Sequence, residues 1–150
     1  MIAYFTYDTS VFISRKQTDF TEMPQNFRMS AVALMELIAG APDDSYRKLY
    51  EEAFRTNKEA DSLISPNDED WLLASRILFL LTQARKRSQK GILRRLPPGA
   101  SQRLALDVLI AVSARRWKAT VVTENWHDFK AIQRYCKSLL LGLPGSSRSN

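Results

Sequence analysis

The chain has 150 residues, the size of one ordinary domain, and at 45% hydrophobic and 25% charged it is long enough to bury a core without disulfide or metal staples. Its lone cysteine, Cys136, excludes an internal disulfide and a multi-cysteine zinc site, and its lone histidine, His127, excludes any mechanism that needs two imidazoles. The formal charge of +6 is uneven: eight of the 22 basic residues lie between Trp71 and Leu106, a stretch without one acid. No apolar run approaches the ~20 residues of a membrane-spanning helix. No basic start marks a signal peptide either, so the expectation is a soluble, cytoplasmic protein.

In chain order, Ile2 to Tyr7 is β-branched and aromatic and predicts a first strand, which Asp8 ends. Thr9 and Ser10 offer caps for a short helix through Ile13. Arg15 to Asn26 reads as a polar loop. Ser30 predicts the N-cap of a helix over 31–39 that Gly40 stops. A further helix is expected from about Pro42 to Asn57, with acids in its first turn as the helix dipole prefers. Ser62 to Ser65 predicts a short strand, and Ser65-Pro-Asn-Asp68 opens a long amphipathic helix to about Lys86, with Ile77 to Leu81 as a buried segment. Ser88 to Ser101 is expected to be a loop. Arg103 to Trp117 predicts a helix, Ala119 to Thr123 a strand, Phe129 to Tyr135 a helix and Lys137 to Gly142 a last strand. Alternating helices and short apolar strands indicate an α/β domain over 1–142, with a parallel sheet covered on both faces. Residues 143–150 are expected to form a flexible tail.

Set into the apolar stretches are isolated acids. Asp8 follows the first strand, Glu36 lies in Ala31-Val-Ala-Leu-Met-Glu-Leu-Ile38, and Asp107 lies in Leu104-Ala-Leu-Asp-Val-Leu-Ile-Ala111. Asn125 and Asp128 follow the Val121-Val-Thr123 strand. A carboxylate in an apolar setting must be paired, protonated or bound to a cation. Several spread along one chain indicate that the fold gathers them around a divalent metal. Such sheets place functional residues at the carboxyl ends of strands, where Asp8 and the Asn125/Asp128 pair fall.

In order and spacing, Tyr7-Asp8-Thr9-Ser10, Ser30 to Leu37, Asp107 to Ala111 and Val121 to Phe129 resemble the motifs of a PIN domain, over Ile2 to Ile132. Length and the lack of other domains resemble the VapC-type toxins of bacterial toxin–antitoxin pairs. Many PIN domains carry Asp where this chain has Asn125. Others carry Thr-x-Asn-x-x-Asp-Phe, as in Thr123 to Phe129, with the later acid completing the set. The resemblance implies a three-layer α/β/α domain around four to five parallel strands. It further implies an RNA endonuclease dependent on Mg²⁺ or Mn²⁺, a homodimer, and an antitoxin whose tail fills the acidic groove.

Hard cations of this kind prefer oxygen ligands and keep several waters. The expected ligands are Asp8, Asp107, Asn125 and Asp128. Glu36 is expected to orient or deprotonate the attacking water, so that Asp8, Glu36, Asp107 and Asp128 form the catalytic set. Thr9, Ser10 and Thr123 are expected to supply supporting hydroxyls. The basic stretch predicts a polyanion contact by Arg85, Lys86, Arg87, Lys90, Arg94 and Arg95, with Arg115 and Arg116 as RNA contacts or partners of acids. Trp71 and Trp126 are expected in the core or an interface, and His127 in an exposed loop. A PIN-like module that binds RNA or protein without cutting is the alternative, and a DNA nuclease a third reading.

Overall fold

The strands are short and apolar, and every pairing between them is parallel. In this computed structural model, which describes residues 3–16, 19–88 and 99–145, β1 (Phe5–Tyr7) pairs with β4 (Thr120–Val122), and β4 with β5 (Leu140–Gly142). A second parallel pair joins β2 (Met29–Ser30) to β3 (Leu63–Ile64). A bridge between Phe5 and Phe27, with Arg28 N–H donating to the Phe5 carbonyl at 2.8 Å, stitches the two pieces edge to edge. The result is an α/β fold, as the sequence pattern predicts, with a three-stranded sheet β1-β4-β5 and a two-stranded sheet β2-β3 joined beside β1 by that bridge. β2 is the element the sequence reading lacks. Ser30 carries both signals: it ends β2, and its hydroxyl accepts from Ala33 N–H at 3.2 Å as the N-cap of the next helix.

Six helices connect the strands among the described residues: α1 (Thr9–Ser14), α2 (Ala31–Ala39), α3 (Asp44–Glu59), α4 (Asp68–Ser88), α5 (Ala100–Arg116) and α6 (Trp126–Gln133). In α5 every residue from Val108 to Ala114 is buried. A helix apolar on all sides belongs in the centre of a domain, and α5 packs against α2, α4 and α6. Residues 101–103 are exposed, so Asp107 stands where the helix passes under the core. α6 starts three residues earlier than predicted, which puts Trp126, His127 and Asp128 on its first turn. The expected loop over 88–101 falls largely outside the described residues, as do 146–150 of the expected tail.

Two helix-to-strand turns are closed without glycine. After α3, Asp61 has φ 53°, with Asp61 N–H donating to Lys58 and Ser62 N–H to Asn57. After α5, Lys118 has φ 55°, with Lys118 N–H donating to Arg115 and Ala119 N–H to Ala114. Both are Schellman motifs, which satisfy the last carbonyls of each helix. The start of α4 is a reciprocal cap: Asp70 N–H donates to Asn67 Oδ1 at 2.9 Å and Asn67 N–H to Asp70 Oδ2 at 3.0 Å. Asp70 is 1% exposed and also accepts from Arg116 Nε at 2.9 Å, so Arg116 is a tie between α4 and α5 rather than a nucleic-acid contact. Trp71 (55% exposed) and Trp126 (37%) lie outside the core, and of the segment Ile77 to Leu81 only Ile77 is fully buried. The expectation of a buried segment from Ile77 to Leu81 fails because the helix turns Phe79 and Leu80 outward, and for Trp71 and Trp126 the core half of the expectation fails.

Candidate active site

Asp8 and Thr123 stand at the carboxyl ends of two neighbouring parallel strands, because Asp8 N–H donates to the Val122 carbonyl at 3.2 Å. Asp8 is 2% exposed. Ser10 Oγ donates to its Oδ1 at 2.6 Å and Thr123 Oγ1 to its Oδ2 at 2.7 Å. Each hydroxyl also accepts from the loop after β4: Ser10 from Glu124 N–H at 3.2 Å and Thr123 from Asn125 N–H at 2.8 Å. Asp8, not Thr9 or Ser10, is the N-cap of α1, through a 3.4 Å bond from Val11 N–H. Its carboxylate is thus fixed from several sides.

Glu36 reaches the same place from α2, where Thr9 Oγ1 donates to its Oε1 at 2.9 Å. Asp107 enters from α5 and Asp128 from α6. The Asn125 side-chain amide donates to both, at 3.1 Å to Asp107 Oδ2 and 3.1 Å to Asp128 Oδ2. Asn125 therefore faces the acids with its nitrogen. Asp8, Thr9, Ser10, Glu36, Asp107, Asn125 and Asp128 line one cleft of about 480 Å³, and Thr123 supports it from beneath.

Among the described residues none of the acids in this cleft is ion-paired to an arginine or lysine, although Arg103 lines the same cleft. Burial pushes the Asp8, Glu36 and Asp107 carboxyls up from the usual range. Asp107 moves furthest, to about 7, through burial first and then the nearby Asp8, Glu36 and Asp128 charges. What holds these acids down is hydroxyl, amide and backbone hydrogen bonding, not an arginine or lysine. A set of oxygen donors with surplus negative charge fits a hard divalent cation. Among the described residues no three acids already stand at the spacing of a finished metal cage. Mg²⁺ fits such a site because it keeps most of its waters and takes only one or two carboxylates directly.

Arg103 and Leu104, which the sequence reading did not assign here, also line the cleft. The available signal was spacing, since Arg103 precedes Asp107 by one helical turn. Of the expected polyanion contacts, Arg85, Lys86 and Arg87 end α4. Lys90, Arg94 and Arg95 lie outside the described residues. His127 is exposed and beside Asp128, at 3.4 Å.

No family model matches the chain, and no curated relative matches it. Solved structures do. A chain of VapBC-1 from nontypeable Haemophilus influenzae is 20% identical, with a TM-score of 0.57, over 93% of this chain and 96% of that one. A chain of DNA-bound VapBC from Salmonella typhimurium is 20% identical, with a TM-score of 0.57, over 94% and 98%. VapBC-5 from Mycobacterium tuberculosis, a member of the VapBC family of toxin–antitoxin systems, is 22% identical, with a TM-score of 0.52, over 94% and 97%. At such identities the likeness is one of fold: nearly the whole chain shares the α/β fold of these chains. No helix among the described residues is long and apolar enough to cross a membrane.

Proposed function

We propose that this chain is a Mg²⁺- or Mn²⁺-dependent endoribonuclease, the toxin of a toxin–antitoxin pair. The observation that carries the reading is the cleft that Asp8, Glu36, Asp107 and Asp128 line together, four acids against the one basic residue, Arg103, among its described lining. The fold likeness to VapBC chains supports the second half. Asp8, Asp107, Asn125 and Asp128 would hold the metal, directly or through its waters. Bound there, the ion supplies charge neutralisation for the phosphodiester and eases deprotonation of water.

Glu36 takes the proton from the attacking water. Its raised affinity for protons suits it to that task, and Thr9 fixes its orientation. A bond forms from water oxygen to phosphorus, and the bond to the 3′-oxygen breaks. Ser10 and Thr123 keep the Asp8 carboxylate from rotating, so that it presents the same edge throughout. A homodimer and inhibition by a small antitoxin protein belong to the same reading, on the strength of the VapBC complexes. The test is cleavage of single-stranded RNA by purified protein with Mg²⁺ or Mn²⁺ and with EDTA. Asp8→Asn and Asp107→Asn are expected to lower the rate at least about 100-fold, the scale of losing a charge-stabilising group, with folding retained by circular dichroism.

A second reading follows from Asn125, whose amide bridges Asp107 and Asp128 where many PIN domains carry a further acid. On that reading the chain binds RNA or protein and does not cut. RNA binding with no cleavage under either metal would decide for it.

A further inference from the structure

Two clefts meet at the acidic site. The second, of about 360 Å³, shares Leu104 and Asp128 with the first and runs between the ends of α4 and α6. Arg85, His127, Arg134 and Tyr135 line it. Its one acid is Asp128, which belongs to the shared wall. On the other flank a third cleft shares Ile13 and Glu36 with the acidic site, and its lining is mainly aromatic and aliphatic, with Lys16 its one basic residue. Among the described residues the acidic site thus adjoins a cleft with two arginines and a largely apolar cleft.

We infer that the cleft between α4 and α6 is the track for the RNA backbone on one side of the cut, with Arg85 and Arg134 each holding a phosphate. This rests on the nuclease reading for its substrate, while the residues that carry it are additional to the catalytic set. A polyanion approaching four carboxylates is repelled unless cations flank its path; Arg85 and Arg134 line the cleft that opens from the Asp128 wall, and Arg103 lines the acidic cleft itself. Tyr135 offers an aromatic edge in the same cleft, suited to an unstacked base, which single strands present and duplexes do not. The arginines come from helices 49 residues apart in sequence, so the track forms only in the folded chain. Arg134 follows the last residue of α6 and makes no ion pair among the described residues, so its charge is available to a ligand.

The experiment measures two quantities on the full chain. Binding of a fluorescein-labelled single-stranded RNA, on the order of ten nucleotides long, is followed by anisotropy in EDTA at several salt concentrations. Cleavage is followed with Mn²⁺. Arg85→Gln combined with Arg134→Gln is expected to raise Kd and KM about tenfold and leave kcat within about twofold. The slope of log K against log salt should shrink by roughly 1.4, the value for two lost phosphate contacts on a single strand. Arg85→Lys with Arg134→Lys should restore most of the binding. Arg47→Gln on α3, outside both clefts, should change nothing. If the wild type cuts but the double Gln variant matches it in Kd, KM and salt slope, the track is wrong and the nuclease reading stands. If the wild type never cuts but the double Gln variant still raises Kd and shrinks the salt slope, the nuclease reading falls and the track stands as a binding path. Absence of binding, or tighter binding of single-stranded DNA of the same sequence, overturns RNA as the occupant.

Discussion

Asp8 shows how much a single side chain can depend on its neighbours. It is almost fully buried, and its two oxygens are held by hydroxyls from two different elements. Removing the buried Thr123 hydroxyl leaves Oδ2 without that donor. The expected cost of Thr123→Ala is about 1–3 kcal/mol of stability, read by urea denaturation, and Thr123→Ser, which keeps the hydroxyl, should recover most of it. A Thr123→Ala protein as stable as the wild type would show that the bond contributes nothing. The same hydroxyl also orders the loop after β4 through Asn125 N–H. Mn²⁺ affinity, measured by calorimetry, should therefore fall along with stability. Asn125 makes the opposite case. Its amide neutralises part of the repulsion between Asp107 and Asp128. Asn125→Asp replaces two donated hydrogen bonds with a third carboxylate. The metal-free protein should melt several degrees lower, because like charges in a part-buried cleft disfavour the folded state. The rise in melting temperature on adding Mn²⁺ should be larger than in the wild type. A variant that melts higher without metal would show that Asn125 is not the bridge.

At the scale of elements, the chain's signals and its structure can be compared directly. α2 was legible to the residue, because Ser30 and Gly40 are unambiguous punctuation on an apolar run. β1 and β4 were legible from β-branched and aromatic residues between polar ends. β2 was not, since two residues carry no periodicity and Ser30 signals a cap more strongly than a strand. The end of α3 lies two residues beyond the expected one and that of α5 within one residue of it, although neither carries the usual signal. Each closes on a left-handed residue that is not glycine, so the usual stop signal is missing. An L-residue there is strained by roughly 1–2 kcal/mol, less for Asp, whose side chain eases that conformation. Lys118→Gly should relieve the strain at the α5–β4 turn, and the greater freedom of glycine in the unfolded chain offsets part of it. The net expectation is a gain of about 0.5–1 kcal/mol in urea denaturation. The same change at Asp61 should give less. A loss of stability at Lys118→Gly would mean that the lysine side chain makes a contact worth more than the strain.

For the whole molecule, the alternating helices and short apolar strands of the sequence pointed to the α/β architecture. Lone acids in apolar stretches were visible one by one, and only tertiary structure could say that they face a common space. The amide bridge of Asn125 and the two-armed support of Asp8 were not legible, because they join residues 18 and 115 positions apart. That gathering of acids has a global consequence. Asp8, Glu36 and Asp107 all hold their protons more tightly in the folded chain than in the unfolded one. A group with a raised folded pKa binds more protons when folded, so its stability contribution is complete below its unfolded value and disappears as pH climbs through the folded value. For Asp107 that window runs from about 4 to about 7. The metal-free protein should thus lose stability across it, by on the order of 2 kcal/mol. Asp107→Asn should flatten the profile and make the metal-free chain more stable than wild type near neutrality. A divalent cation should act in the opposite direction, stabilising most at the pH where the acids are ionised, because binding to the folded state alone adds stability by mass action. Thermal melts from pH 4 to 8, with EDTA and with millimolar Mn²⁺, separate the two. If the wild type in EDTA is as stable at pH 8 as at pH 5, or if Mn²⁺ stabilises equally at both, the acids are not a mutually repelling set and do not constitute a cation site.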